Sequence, residues 1–453
     1  MHVNQFRFVI DPLYGLFPLD NFLVSLISQP EVQRLREVRL SNINSFLLPG
    51  CAGISRFEHS LGTAYLAQQV ATNLSLPTKD RLGLECAALL HDVAITPFGH
   101  LMEEAFRYAG MSFDHEKRIE EIFLGEKEIG NIDLQIFKGR TVGFRKVLNY
   151  KEHLLLGVTA ESVFALKRGE GALGQLINGT IDLDNIDNVT RMAYHIGIGF
   201  SQGLPLELSK GFFVRDDILC YDMARIELVE EWMKLRERLY GILMTNPPDF
   251  SAKCMLLEAI RIGLTGTTAC KPALSESHWK LTDAELLQVL AEYPPTRNLI
   301  DRLQTGHLFN FIGLFWVDSA NLPKGTLTPE NVGSMRENLA GRLKCDPQDF
   351  VIYLIRDKRS RRIDNISFRD RSGQKALVDL SLGESSTLVL VGICSGLQEL
   401  ITAANESICQ DFLEDMAGKG TTQVCEPGVQ LEQALKLSQK ENGQLGLFGL
   451  TEQ

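Results

Sequence analysis

The chain opens on FRFVIDPLYGLFPL, short runs of β-branched and aromatic residues around Pro12 and Gly15 that predict a small strand element. A helical stretch through Val32, Leu35 and Val38 follows. From about 57 to 240 the apolar spacing is helical nearly throughout, as in Leu61, Tyr65, Leu66 and Val70, and again in Leu84, Ala87, Ala88 and His91, which predicts a helical bundle. The pattern continues over 250–312 with breaks at Pro247-Pro248 and Pro294-Pro295, where a fixed φ and a missing N–H stop helices. Beyond 312 the period changes. FIGLFWV, DFVIYLIR and TLVLVGIC read as strands, separated by helical stretches at 328–344 and 396–416. After about 417, GKGTTQVCEPGVQ reads as a linker, followed by a short helical stretch at 429–439 and a tail ending NGQLGLFGLTEQ. The expected fold class is mainly α, a helical bundle with a small C-terminal α+β lobe. Its expected divisions are 1–215, a helical extension at 216–312, the lobe at 313–416, and a linker and tail at 417–453.

Composition adds exclusions. A chain of 453 residues with 44% hydrophobic and 23% charged residues has globular proportions, which rules out a disordered chain, a collagen-like repeat and a disulfide scaffold. Lysine and arginine number 46 against 57 acidic residues, a net charge of −11, so any polyanion must be met by a local basic site. The N-terminus carries no basic segment followed by an apolar one, and no run of about 18 apolar residues occurs anywhere. Neither secretion nor membrane spanning is expected. Nine scattered cysteines with no CxxC pair argue against a zinc ribbon and for reduced, buried thiols in a cytoplasmic protein.

Chemistry concentrates in a few phrases: His59 in SRFEHSLG, His91-Asp92 and His100 in ALLHDVAITPFGH, His115 in FDHE, and Asp184 in IDLDNIDNVTR. Four of the nine histidines fall between 59 and 115. An adjacent His-Asp at the end of an apolar helix face offers two ligand types to one bundle interior, and a distant His and Asp can complete the set from neighbouring helices. Two imidazoles with two carboxylates suit Zn, Mn or Fe, and carboxylate-rich sites also accept Mg. Left partly open, such a site lowers the pKa of a bound water enough to attack phosphorus. Taken singly, each histidine also reads as an ordinary core or surface residue, and Asp184 as a turn or cap residue in a stretch that also holds Asp182 and Asp187.

The phrases QPEVQRLREVRL, PGCAGISRFEHSLGTAYLA, ALLHDVAITPFGH and IDLDNIDNVTRMAYHIGIGF, with the opening DPLYG, resemble the HD-domain phosphohydrolases. Within them they resemble the deoxynucleoside triphosphate triphosphohydrolases, the group of the SAM-and-HD-domain enzyme and bacterial dGTPases. The resemblance covers about 1–415 and includes no SAM domain; it makes 1–215 an HD domain. It implies that His59, His91, Asp92 and Asp184 bind a divalent metal. It implies that His100 is the general acid with Glu103 orienting it, that His115 contacts substrate phosphates, and that Arg56 and Arg236 hold the phosphate chain. Homo-oligomerisation is implied too.

Departures from the family pattern qualify the substrate. Ile95 stands where a histidine is usual three residues after the Asp. Asn188 and Met192 replace a sugar-stacking tyrosine and an acid, Leu40 falls near the place of a sugar-reading glutamine, and Met244 aligns with a second sugar-side tyrosine. The expected function is therefore a metal-dependent nucleotide phosphohydrolase, releasing nucleoside and triphosphate from a (d)NTP. A phosphodiesterase or nuclease acting on single-stranded or cyclic oligonucleotides is one alternative, and a non-catalytic nucleotide sensor another. Between 356 and 371 lie seven basic residues, Arg356, Lys358, Arg359, Arg361, Arg362, Arg369 and Arg371, against three acids. They can bind nucleotide phosphates or single-stranded nucleic acid, or form a solvated hairpin. In the tail, Gln444, Leu445, Leu447 and Phe448 resemble the pentapeptide by which bacterial proteins dock into the sliding clamp.

Overall fold

The computed structural model describes residues 8–426 apart from 44–47, 125–134, 138–139, 142, 151–155, 202, 321, 323–324, 329–330, 359–366 and 371–386. Strands β1 (Phe8–Asp11) and β2 (Gly15–Pro18) form an antiparallel hairpin. At its turn Asp11 Oδ1 accepts the amides of Leu13 and Tyr14 at 2.8 and 2.9 Å, which leaves Oδ2 for a partner deeper in the molecule. Helix α1 (Arg56–Asn73) starts at Ser55, whose hydroxyl accepts the amide of Glu58. Against it packs α2 (Thr78–Leu90), buried without interruption from Leu82 to Leu90. After α3 (His100–Tyr108) and α4 (His115–Leu124) comes α5 (Leu183–Ile196). Asp182 caps α5 through the amide of Asn185 at 2.8 Å, and Gly197 ends it at φ 81°.

The helical pattern expected up to 240 is interrupted by the antiparallel pairing of Gln135–Phe137 with Arg140–Thr141 and by a further hairpin, β3 (Phe212–Arg215) with β4 (Ile218–Asp222). Its turn is Asp216-Asp217, both at positive φ (52° and 57°), the backbone that a two-residue hairpin requires and that Asp tolerates. Helices α6 (Ile226–Thr245) and α7 (Pro247–Thr265) follow, then α8 (Asp283–Glu292) and α9 (Pro294–Thr305). Each proline pair opens a helix, since the first turn needs no N–H from it.

The lobe consists of β5 (Asn310–Asp318), α10 (Val332–Leu343), β6 (Phe350–Arg356), β7 (Ser367–Arg369), β8 (Leu388–Ser395), α11 (Ala403–Ala417) and β9 (Thr422–Val424). The stretch after 417 differs from the expected linker: β9 pairs with β5 and completes an antiparallel sheet of order β9-β5-β8-β6. Three residues are too few to show a period of two. β7 leaves that sheet to pair in parallel with β4, tying the lobe to the helices. Along the sheet the pleat sorts side chains: Leu314, Trp316, Val351, Tyr353 and Leu390 enter the main core, while Phe315, Val317, Ile352, Val389 and Val391 enter a second core under α10 and α11. A Cβ on Gly392 would stand 2.1 Å from the ring of Phe250, so its absence lets α7 lie directly on the sheet. The lobe therefore shares a core with the helical body.

All nine cysteines are free, seven of them buried. No helix among the described residues is long and apolar enough to cross a membrane. The helical stretch at 429–439, the Gln444, Leu445, Leu447 and Phe448 motif, and Arg359, Arg361, Arg362 and Arg371 lie outside the described residues.

Candidate metal and phosphate site

Helix α1 places Arg56 and His59 one turn apart on the face turned toward α5 and the end of α2. His91 caps α2, Asp92 follows it, and Asp184 stands in the first turn of α5. His59 Nε2 lies 2.9 Å from Asp184 Oδ1, and His91 Nε2 lies 3.7 Å from the same oxygen. The two rings meet edge to face with centroids 5.1 Å apart. His59, His91 and Asp184 each bring one ligand atom within 4.8 Å of the others. Asp92 Oδ2 stands 3.5 Å from His91 Nε2 and takes the guanidinium of Arg56 at 2.5 Å.

The donor set suits a divalent cation on two observations. The Nδ1 of His91 donates to Ala88 O at 2.7 Å, because a carbonyl can only accept, so its lone pair sits on Nε2. That nitrogen is buried and has no hydrogen-bond partner among the described residues. For His59, burial opposes a charged ring, but Asp184 on one nitrogen and Asp187 on the other outweigh it and push the ring up to about 9. Positive charge is thus favoured where His59, His91 and Asp184 converge. Burial would raise Asp92, yet Arg56, with the histidines, holds its carboxyl well below the usual range.

Behind His59 lies a network in which sequence reasoning assigned no roles. Asp187 accepts from His59 Nδ1 at 2.7 Å, fixing the ring so that Nε2 faces the cluster. Asp187 is held by Arg191 at 2.9 Å and by the hydroxyl of Tyr14 at 2.7 Å; Arg191 also reaches Asp11 Oδ2 at 2.9 Å and Glu58 at 2.6 Å. Burial resists ionisation of Asp187, but Arg191 and His59 prevail and hold it far below the ordinary value. Gly62 makes room: a Cβ there would come within 2.1 Å of both Arg191 and Asp187 side chains. The three acids of IDLDNID thus divide their work: Asp182 caps, Asp184 faces the cluster and Asp187 orients. The visible signal was the i, i+3, i+7 spacing of Asp184, Asp187 and Arg191 on one helix face.

The loop after Asp92 is clamped from outside. Arg34, fully buried, donates to the carbonyl oxygens of Ile95 and Leu281, and Asp283 accepts the amide of Phe98 at 2.7 Å. Ile95 is itself fully buried, so an apolar side chain fills the place of the family histidine. Beyond the loop, His100 and His115 meet edge to face at 5.4 Å. Glu103 stands between the two histidines: its carboxylate lies 2.8 Å from His115 Nδ1 without the geometry of a hydrogen bond, and its charge also acts on His100. His115 Nε2 stands 3.4 Å from Glu116, which in turn pairs with Lys167. His100 is open to the cavity but ringed by protein, and desolvation pushes it down to about 4, with Arg56, Lys358 and His115 adding to the fall against Glu103.

These groups line a cavity of about 610 Å³. Arg56, His91, Asp92, His100, His115 and Asp184 form one side of it. Arg236 of α6 reaches it too, 7% exposed, with Nη2 donating to Lys358 O at 2.9 Å and with Nε and Nη1 unpartnered among the described residues. Leu40, Asn188, Met192 and Met244 all face the cavity, and Asn188 Oδ1 is buried without a hydrogen-bond partner. Lys167, Lys253 and Tyr353 line it as well and carried no signal in the sequence reading, and Lys358, one of the basic residues between 356 and 371, joins them.

Residues 56–192 match the family model of the HD domain. The human deoxynucleoside triphosphate triphosphohydrolase SAMHD1 is 23% identical over 446 residues, covering 86% of this chain and 69% of the relative. The Dictyostelium discoideum protein named as its homolog is 25% identical over 271 residues, 56% of this chain and 48% of that one. The Bacillus subtilis uncharacterized protein YwfO is 25% identical over 248 residues, 53% and 52% of the two chains. The chain carries an HD domain and, over most of its length, resembles the deoxynucleoside triphosphate triphosphohydrolases.

Proposed function

We propose that the protein is a metal-dependent phosphohydrolase of nucleotides, and that its reaction releases triphosphate from a (deoxy)nucleoside triphosphate. The observation that carries this reading is the convergence of His59, His91 and Asp184, with Asp92 beside them, on a cavity that also presents Arg56, Arg236, Lys167 and His115. His59, His91, Asp92 and Asp184 would hold Mn, Fe, Zn or Mg. Bound there, a divalent cation supplies Lewis acidity and a nucleophile at neutral pH.

The protein's own residues do the rest. Arg56, fixed by Asp92, and Arg236, with two free guanidinium nitrogens, offer forked donors to phosphate oxygens. His115, beside Glu103, and Lys167 extend that cradle. His100 is neutral at neutral pH in the free protein, since its pKa is about 4. Anionic phosphates placed beside it favour the imidazolium, so the ring takes up a proton with the substrate and donates it to the departing sugar oxygen. We read the active form as a homo-oligomer, which light scattering checks.

The test is a panel of ribo- and deoxyribonucleoside triphosphates supplied in turn with manganese, magnesium, zinc and iron. Free nucleoside and triphosphate should be produced by the wild type and not by His91→Ala. No release from any combination refutes the reading. Asn188, Met192 and Met244 in the cavity favour, as a second reading, a phosphodiester substrate. Cleavage of labelled single-stranded DNA or RNA, lost in Asp92→Ala, would select it.

A further inference from the structure

The cavity has two lysines that the hydrolytic reading does not use, beside an arginine that it does. Lys253 comes from α7, and Lys358 stands two residues beyond the end of β6. Arg236 joins them, because its Nη2 bonds Lys358 O and fixes the end of the strand over the cavity. The metal-side lysine, Lys167, feels Asp92, Asp114 and Asp184, whereas Lys253 feels Asp249, Lys358 and Glu104. The two lysines therefore sit in separate electrostatic surroundings within one cavity.

Among the described residues no acid forms an ion pair with these three cations, and Asp249, four residues before Lys253 on α7, and Glu104 act on Lys253 through their charge alone. Arg56 pairs with Asp92 and Lys167 with Glu116, and Asp182 caps α5. Glu104 is pushed toward its neutral form, first by burial, and interacts with the side chain of Tyr353. Among the described residues, neither Arg236, Lys253 nor Lys358 makes an ion pair; Lys253 Nζ donates only to Leu243 O at 3.3 Å. Arg236 keeps Nε and Nη1 buried and unpartnered. The two buried guanidinium nitrogens of Arg236 carry a desolvation penalty that an anion would relieve, and half-buried Lys253 and exposed Lys358 stand beside them.

We propose that Arg236, Lys253 and Lys358 form a second anion subsite, which holds a phosphate on the sugar while another phosphate of the same nucleotide meets the metal-side residues. The preferred ligand is a nucleotide phosphorylated both at its 5′ position and elsewhere on the sugar. This deepens the phosphohydrolase reading and rests on it only for which phosphate is cleaved.

Calorimetric titration tests it without turnover. The probes are adenosine 5′-monophosphate, adenosine 3′,5′-bisphosphate and adenosine 5′-diphosphate, applied to the wild type and to the Lys253→Met/Lys358→Met and Lys253→Arg/Lys358→Arg double variants. The bisphosphate should bind the wild type at least about tenfold tighter than the monophosphate, the worth of one charge-assisted contact. That ratio should fall to about one in the methionine variant and persist in the arginine variant, whose thermal melts report folding. An equal ratio in wild type and methionine variant overturns the proposal. So does a gain for the diphosphate alone, which would assign these cations to the 5′ chain. Loss of turnover with the ratio intact would remove the hydrolytic reading and leave the subsite standing.

Discussion

The cavity has one wall made by helices and one made with the lobe, and they are built on different periods. On the helical wall, His59 and Arg56 are spaced i, i+3, and Asp184, Asp187 and Arg191 are spaced i, i+3, i+7, so each group is fixed by a helix buried on its other faces. On the lobe wall, Tyr353 and Ile355 alternate along β6 and Lys358 stands past the strand's end. The first wall carries paired, oriented groups; at the second, Lys358 meets Lys253 of α7 and Arg236 of α6, and none of the three makes an ion pair among the described residues. On the reading proposed above, bond-breaking chemistry belongs to the helical wall, and the second phosphate of the substrate to the cations beside the lobe.

The largest effect should come from the helical wall. Asp184→Asn should abolish turnover on every nucleotide and lower bound metal, measured by elemental analysis of the purified protein. If the variant hydrolyses any substrate at the wild-type rate, the division between the walls fails. Next comes Asp187→Asn, which leaves every candidate ligand in place but weakens the acceptor on His59 Nδ1. Metal affinity should drop about 10–100-fold, the usual effect of losing such an orienting partner, read by competition with a chelator. An unchanged affinity would show that Tyr14, Arg191 and Asp187 serve stability alone.

A third change tests the substrate-facing positions. Asn188→Tyr restores the family's residue beside the cavity, where Asn188 Oδ1 now lacks a partner. It should raise the deoxyribo-to-ribo ratio of kcat/KM by about tenfold, the scale on which shape-based pockets discriminate, with little change in bound metal. A ratio that stays put would place the sugar elsewhere in the cavity.

How much of this was legible depended on the wall. The metal-side residues announce themselves because HD, SRFEHS and IDLDNID are compact phrases, and a helix converts sequence spacing directly into geometry. The hairpin at 212–222 was hidden inside a long apolar pattern, and β9 is only three residues long. Glu103 was paired with His100 because they lie one turn apart on α3, and the fold brings His115 of α4 within 2.8 Å of the same carboxylate. Lys253 was a charge on a helix and Lys358 one of seven basic residues between 356 and 371. Only the tertiary fold shows that the two share a cavity.

The smallest effect on turnover is expected at Asp283, which supports the helical wall from behind. Its carboxylate accepts the amides of Phe98 at 2.7 Å and Arg39 at 3.0 Å, so it holds the loop that follows His91-Asp92. Burial pushes its pKa up to about 6, against the pull of those two amides and of Arg39 and Arg34. The folded state therefore binds a proton more readily than the unfolded chain, whose Asp titrates near 4. Stability from this group is greatest below about pH 4, falls as pH rises through the folded pKa near 6, and is level above it, with a slope on the order of 1 kcal/mol per pH unit. Asp283→Asn keeps an acceptor for Phe98 N but cannot titrate. Urea denaturation from pH 4 to 8 should show the variant gaining on the wild type between about 4 and 6, then the two curves running parallel, with activity at neutral pH largely kept. Parallel curves over the whole range would mean that the loop is held by Arg34 alone, and that the helical wall carries no ionisable strain behind its metal site.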